Sequence, residues 1–128
     1  MFQSSDIAKL ILRLSLGVLI LFHGVYKLMH GLSGVKAMVI SAGLPEFLTY
    51  GVYVGELIAP IFIILGLYAR IAAGVLAINM LMAIFLAYGF SFSLAKYGGL
   101  AMESPLLFFI MSVLVSMLGS GRYAVNSK

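Results

Sequence analysis

Five polar side chains lie within or at the edge of long apolar stretches, and their types decide what chemistry the chain can do: His23, Lys27, Glu56, Asn79 and Glu103. Glu56 carries the most information. It falls about nine residues into the apolar stretch 47–67, or about 13 Å along a helix, close to the middle of a bilayer. An acidic residue at that depth costs about 2.5–3.5 kcal/mol to insert, so it must face a protein interior, protonated or paired. Pro60 follows four residues later and offers no N–H to the Glu56 carbonyl, which puts a carboxyl and a freed carbonyl at one depth, beside a kink. Two roles fit: a proton- or ligand-handling carboxyl in a polar pocket, or an interhelical hydrogen bond that holds the protein together.

His23, Lys27 and His30 fall within about 60° of one another on a helix that turns about 100° per residue. With His23 and Lys27 turned inward they line a cavity shared with Glu56. With Lys27 snorkelling and His30 among the headgroups they do not. Asn79, midway along a third apolar stretch, is placed to bond Glu56 or its carbonyl. Glu103 stands at the edge of a fourth, where it can meet Lys27, Lys96 or His30, or serve as a solvated cap. Arg70, about 21 Å from Glu56 along a straight helix, reads as a topology anchor or a phosphate contact.

No metal site is expected. His23 and His30 lie about 10.5 Å apart along one helix and cannot bracket a haem iron. No Glu-x-x-His or His-Glu-x-x-His spacing occurs. The chain has no cysteine, which removes iron–sulfur ligation and thiol exchange within it.

The elements that must position these side chains are membrane spans. Of the 128 residues, 63% are hydrophobic and 9% charged, where a soluble domain carries roughly 25% charged residues. Lipid must cover such a surface. The apolar stretches 7–29, 47–67, 71–90 and 103–119 (its unbroken apolar part running from Pro105 to Leu118) predict an all-α membrane protein, a four-transmembrane-helix bundle forming one domain over residues 1–128. Residues 31–45, with their glycines and Pro45, read as a loop. Gly66 to Arg70 reads as a tight turn between antiparallel neighbours.

Glu103-Ser104-Pro105 reads as the cap of the last span. Gly17, Gly24 and Gly31, then Gly51, Gly55 and Ala59, then Ser112, Ser116 and Ser120 form small-residue ridges suited to close packing, within one chain or in a homo-oligomer. With both termini in the cytoplasm, Lys9, Arg13, Arg70, Arg122 and Lys128 fall inside against Lys27, Lys36 and Lys96 outside, the orientation that the positive-inside tendency favours. These basic residues are scattered singly, so nucleic acid is not an expected partner; the bilayer is.

Taken in order, Arg13-Leu14 through Gly17, His23-Gly24 and Lys27, Gly43-Leu44-Pro45, Gly55-Glu56, Gly66-Leu67-Tyr68-Ala69-Arg70, Glu103 and Gly119-Ser120-Gly121-Arg122-Tyr123 resemble the DoxX family of small bacterial membrane proteins. The likeness covers almost the whole chain; Asn126 departs from the Asp common in such tails. The resemblance implies a multi-pass protein of the bacterial inner membrane. Some relatives are subunits of a thiosulfate:quinone oxidoreductase, and others associate with redox and detoxification proteins. Three functions follow as expectations. One is a quinone-interacting subunit of a membrane redox complex, in which Glu56 relays protons, His23 or Lys27 bonds a quinone carbonyl, and a redox partner protein supplies electrons. The others are a non-catalytic anchor or scaffold for a partner enzyme, and a small oligomeric transporter. The chain is at most a subunit of a membrane oxidoreductase, with quinone the one cofactor in view and none intrinsic to it.

Overall fold

Runs of Leu, Ile, Val and Ala without breakers satisfy their backbone polar groups internally, and every regular element among the described residues of the computed structural model is a helix. The structure describes residues 4–88, 98–99 and 102–125. Five helices follow in order: α1, Ser4–His30; α2, Ser33–Ser41; α3, Glu46–Leu65; α4, Ala69–Tyr88; and α5, Glu103–Leu118. The helices α1, α3 and α4 are long and apolar enough to cross a membrane. The 16 residues of α5 make about 24 Å of apolar helix, shorter than the other three. The all-helical architecture expected from the sequence is present. The end of the third stretch at Phe90, together with Lys96, Asn126 and Lys128, lies outside the described residues.

The stretch 31–45 corrects the sequence reading, for it holds a helix and not only a loop. Gly31, at φ +83°, ends α1, and Gly43, at φ +76°, turns the chain after α2. Between them Val35 to Ile40 contains no breaker, and Val39 is buried. That burial is tertiary packing, which a local reading of glycines and Pro45 does not register.

The proline-bearing helix is not uniform. α3 opens as a 3₁₀ turn over Glu46–Tyr50, passes through a π turn over Val54–Ile58, and resumes as α-helix over Ala59–Leu65. The Ala59 N–H reaches back to the Val54 carbonyl, one residue further than in an α-helix. The chain thus absorbs the missing Pro60 donor by a local widening that contains Glu56. Gly66, at φ +71°, closes α3, and Leu67 and Tyr68 lead directly into α4.

α1 packs on α3 and α5, while α4 packs on α3 and α5. Leu16, Ile20, Ile63, Leu76, Met80 and Val115 form the core, and Ala69, Ala72 and Ala73 on α4 let backbones approach. The glycine ridge of α1 is used in part. A Cβ at Gly17 would lie 3.0 Å from the Pro60 carbonyl oxygen, and one at Gly24 would lie 2.6 Å from the Glu56 carbonyl carbon. Gly31 and Gly51 face open space, so neither is a packing position within the chain. Ser112 bonds its own helix at the Phe108 carbonyl, whereas Ser120 reaches the Gly66 carbonyl. The last helix begins at Glu103 behind Met102 without a side-chain cap, which replaces the Glu-Ser-Pro cap read from the sequence.

Candidate functional site

Glu56 is 3% exposed. Lys27 Nζ, from α1, donates to both of its carboxylate oxygens at 2.8 Å, and Asn79 Nδ2, from α4, donates to Oε2 at 3.1 Å. Three helices therefore meet at one carboxylate. Glycines make the meeting geometrically feasible. Gly24 lets α1 lie directly on the Glu56 backbone, one turn before Lys27. At Gly55 a Cβ would fall 2.6–2.8 Å from three Asn79 side-chain atoms, so only glycine leaves that amide its place. The π turn sets Glu56 between the two contacts.

The cluster borders a cavity of about 660 Å³. Its walls are mostly apolar: Ile20 from α1, Leu48 and Val52 from α3, Val75 and Met80 from α4, and Phe108 from α5. Val35, Met38 and Val39 of α2 complete it, so the helix missed by sequence reading forms one side of the cavity. The carboxyl oxygens thus receive three hydrogen bonds in mostly apolar surroundings, two from Lys27 and one from Asn79. The Lys27 side chain is 28% exposed against 4% for Glu56, so the cation is the more accessible member of the pair.

The other candidates are placed differently. His23 lines the cavity but points an exposed ring edge-on to Phe108, with centroids 5.7 Å apart, and does not bond Glu56. His30 stacks on Tyr26 at 4.2 Å, away from the cluster. Glu103 is exposed in the first turn of α5 beside Gly99, and among the described residues it pairs with neither Lys27 nor His30. Lys36 pairs instead with Glu46 at 2.8 Å, tying α2 to the start of α3. That hydrogen bond, with the attraction of the Glu46 charge, raises the Lys36 pKa above its ordinary value.

Arg13 is the residue that sequence reasoning misplaced. Counted among the interfacial cations, it is in fact 1% exposed. Nη2 donates to the Tyr123 carbonyl at 2.6 Å, while Nε and Nη1 are buried without a hydrogen-bond partner. The guanidinium fits against Gly66, where any side chain would collide with it. The available signal was its spacing. Arg13 precedes Leu16, Gly17 and Ile20 at three, four and seven residues, on the inward face of α1. Arg70 Nη1 donates to the Met117 carbonyl at 3.3 Å near the end of α5, which assigns it a helix-capping contact.

The family model described as DoxX matches residues 8–89, a segment that contains His23, Lys27, Glu56 and Asn79 and stops short of Glu103. The chain is 33% identical over 82 residues to the Bacillus subtilis (strain 168) protein named "Putative oxidoreductase CatD". That alignment covers 64% of this chain and 60% of the relative, so the chain spans about three fifths of the relative's length. No solved structure matches the chain. Its apolar helices and the extent of the family match together establish that this chain is a membrane protein belonging to the DoxX family.

Proposed function

We propose that the protein crosses the bacterial inner membrane four times with both termini in the cytoplasm, and that its cavity holds the ring of a quinone as part of a membrane redox complex. The observation that carries this reading is the cavity itself: about 660 Å³, apolar on most sides, with the Lys27, Glu56 and Asn79 cluster as its polar end. Small-molecule sites have this size and this ratio of wall to anchor. A quinone, when bound, supplies reversible two-electron, two-proton chemistry. Lys27 would donate a hydrogen bond to a ring carbonyl. Glu56 would hold or release a proton beside it, and His23 on the cavity wall would serve as a second proton-carrying group. Electrons would come from a partner protein. The oxidoreductase in the relative's name supports the redox part of the reading.

Topology follows from charge. Arg13 with Tyr123, Arg70 with Met117 and Lys9 beside Gly121 gather basic residues at the end that holds both termini, which the positive-inside tendency assigns to the cytoplasm. α5 runs alongside α1 and α4, and about 24 Å of apolar helix completes the fourth crossing with modest local thinning of the bilayer.

A membrane anchor for a partner enzyme is the second reading, favoured by the fact that the cluster ties three helices together. Titrating a short-chain benzoquinone into the protein in lipid nanodiscs separates the two. Quinone binding weakened at least tenfold by Glu56→Gln, and weakened by His23→Ala, supports the site. Unchanged affinity in both variants removes it and leaves the anchor.

A further inference from the structure

A second hollow, of about 440 Å³, lies along the seam between α3 and α4. Val54, Ile58 and Phe62 of α3 form one wall, and Tyr68 in the turn, with Ile71 and Val75 of α4, forms the other. Ala59 and Ala72, both buried, make the floor, so short side chains sink a groove between longer ones. Val54 and Val75 also line the cavity, and the two spaces meet at this pair. The meeting place opens outward. Val75, Ile78 and Met82 fall on one face of α4 at spacings of three and four residues, all border the cavity, and all are exposed. Across from them Gly51 faces open space. Tyr68, at the far end, is the one groove residue with a polar side-chain atom. The hollow on the α2 side of the cavity is smaller, about 360 Å³, and includes Ser41 in its lining.

We infer that the site opens sideways into the hydrocarbon between α3 and α4, and that its ligand lays an apolar tail along this groove toward Phe62 and Tyr68. This rests on the quinone reading for the head group and adds the course of the tail and the route of entry. A ring held at Lys27 and Asn79 does not itself fix where a tail goes: under α2, loose in the lipid, or along the groove. The groove is the larger and the more apolar of the two side spaces, and it begins where the cavity meets the lipid. Val54 to Phe62 spans about 12 Å of helix, the reach of an extended decyl chain. Bulk lipid is as apolar as the groove, so close packing and not the hydrophobic effect holds the tail there. The tail therefore decides where the ligand lies more than how tightly it binds, and position is what the test must read.

The probe is a decyl-substituted benzoquinone carrying a diazirine at the end of its tail, photolysed with the full chain in nanodiscs and mapped by peptide mass spectrometry. Adducts are expected on Ile58, Phe62, Tyr68 and Ile71, and excess unlabelled decylbenzoquinone should remove them while sparing the background on exposed Leu19 and Phe22 of α1. Ala72→Leu, which raises the floor, should remove at least about half of the labelling at Phe62 while short-chain benzoquinone still binds. The competition arm needs no substitution, so the inference can fail even if that variant does not fold. Adducts spread over lipid-facing residues without competition, adducts concentrated on Val35 and Met38 of α2, or a groove left unlabelled because a second copy covers it would each overturn the inference. In those cases binding of the short-chain probe leaves the quinone reading standing. Binding of neither probe rejects that reading and the inference together.

Discussion

Gly24→Ala is the smallest change that strikes both the packing and the site. The added Cβ would sit 2.6 Å from the carbonyl carbon of Glu56. Carbon atoms in contact lie about 3.5–4.0 Å apart, so α1 and α3 must separate by roughly 1 Å at this level. The obstacle is backbone on both helices, and no rotamer change relieves it. A gap of that size forfeits roughly a quarter to a half of the dispersion attraction at each affected contact, and overpacking of this kind costs about 1–3 kcal/mol. Alanine is the better helix former by about 0.5–1 kcal/mol, which offsets part of the loss.

Gly74 supplies the control. It lies within α4, and nothing stands within 4 Å of its Cβ position, so Gly74→Ala keeps the propensity gain without the clash. The helix-propensity gain is common to both, so the two variants should differ by the clash alone, about 1–3 kcal/mol, with Gly24→Ala below the parent protein and Gly74→Ala level with it or above. Thermal unfolding followed by circular dichroism in one detergent measures this, and the difference corresponds to roughly 3–15 °C on the scale of soluble domains of this size. Gly24→Ala unfolding at the same temperature as Gly74→Ala would refute the close approach of α1 to the Glu56 backbone.

Glu56→Ala leaves the half-buried Asn79 amide and the Lys27 ammonium without their acceptor. Breaking a fully buried pair costs about 3–5 kcal/mol. Because the Lys27 side chain is 28% exposed and can turn toward water, about 1–3 kcal/mol is expected here in chemical denaturation, and less for Glu56→Gln. Arg13→Ala removes a charged hydrogen bond and leaves a void, a loss of about 3 kcal/mol. Arg13→Met fills the space and deletes the two unpartnered donors, so it should cost less than about 1.5 kcal/mol. Both release residues 119–125 to faster proteolysis. The Lys36 pKa is raised in the folded protein above its ordinary 10.5, so the contact with Glu46 is fully present below that value and lost as pH rises through the folded one. A spin label at Ala37→Cys should accordingly report constant α2 mobility from pH 7 to about 9.5 and an increase above about 10.5. Equal α2 mobility in the parent and in Glu46→Gln at pH 7, where the contact is fully present, would contradict it.

Much of the architecture was legible because lipid leaves the backbone few choices. Apolar length alone located α1, α3 and α4 to within a few residues. The link between Glu56 and Asn79 could be anticipated because a mid-span carboxyl needs donors and few polar groups lie at its depth. What was not legible depends on contacts between distant segments. α2 forms because Val39 finds a buried place, and no local rule reveals that place. The widening at Val54–Ile58 follows from Pro60, yet sequence supports only a kink and not its π form. Arg13 looked like an interfacial cation because its charge outweighed its spacing. It is buried because Gly66 and the backbone at Tyr123, 53 and 110 residues away in sequence, close around it. For Glu103 the sequence left a pairing with Lys27, Lys96 or His30 beside a solvated position, and α5 turns that carboxylate to the surface beside Gly99, away from Lys27 and His30.

The most direct measurement is solid-state NMR in lipid bilayers of protein labelled with ¹⁵N at lysine side chains and ¹³C at glutamate carboxyl groups. Lys27 Nζ should couple to the Glu56 carboxyl carbon at direct hydrogen-bonding distance, and a short-chain quinone should shift the Lys27 resonance while leaving exposed Lys36 unchanged. A Lys27 signal that lacks the coupling, or that does not respond to quinone while the probe is bound, would contradict a ligand site built on this pair.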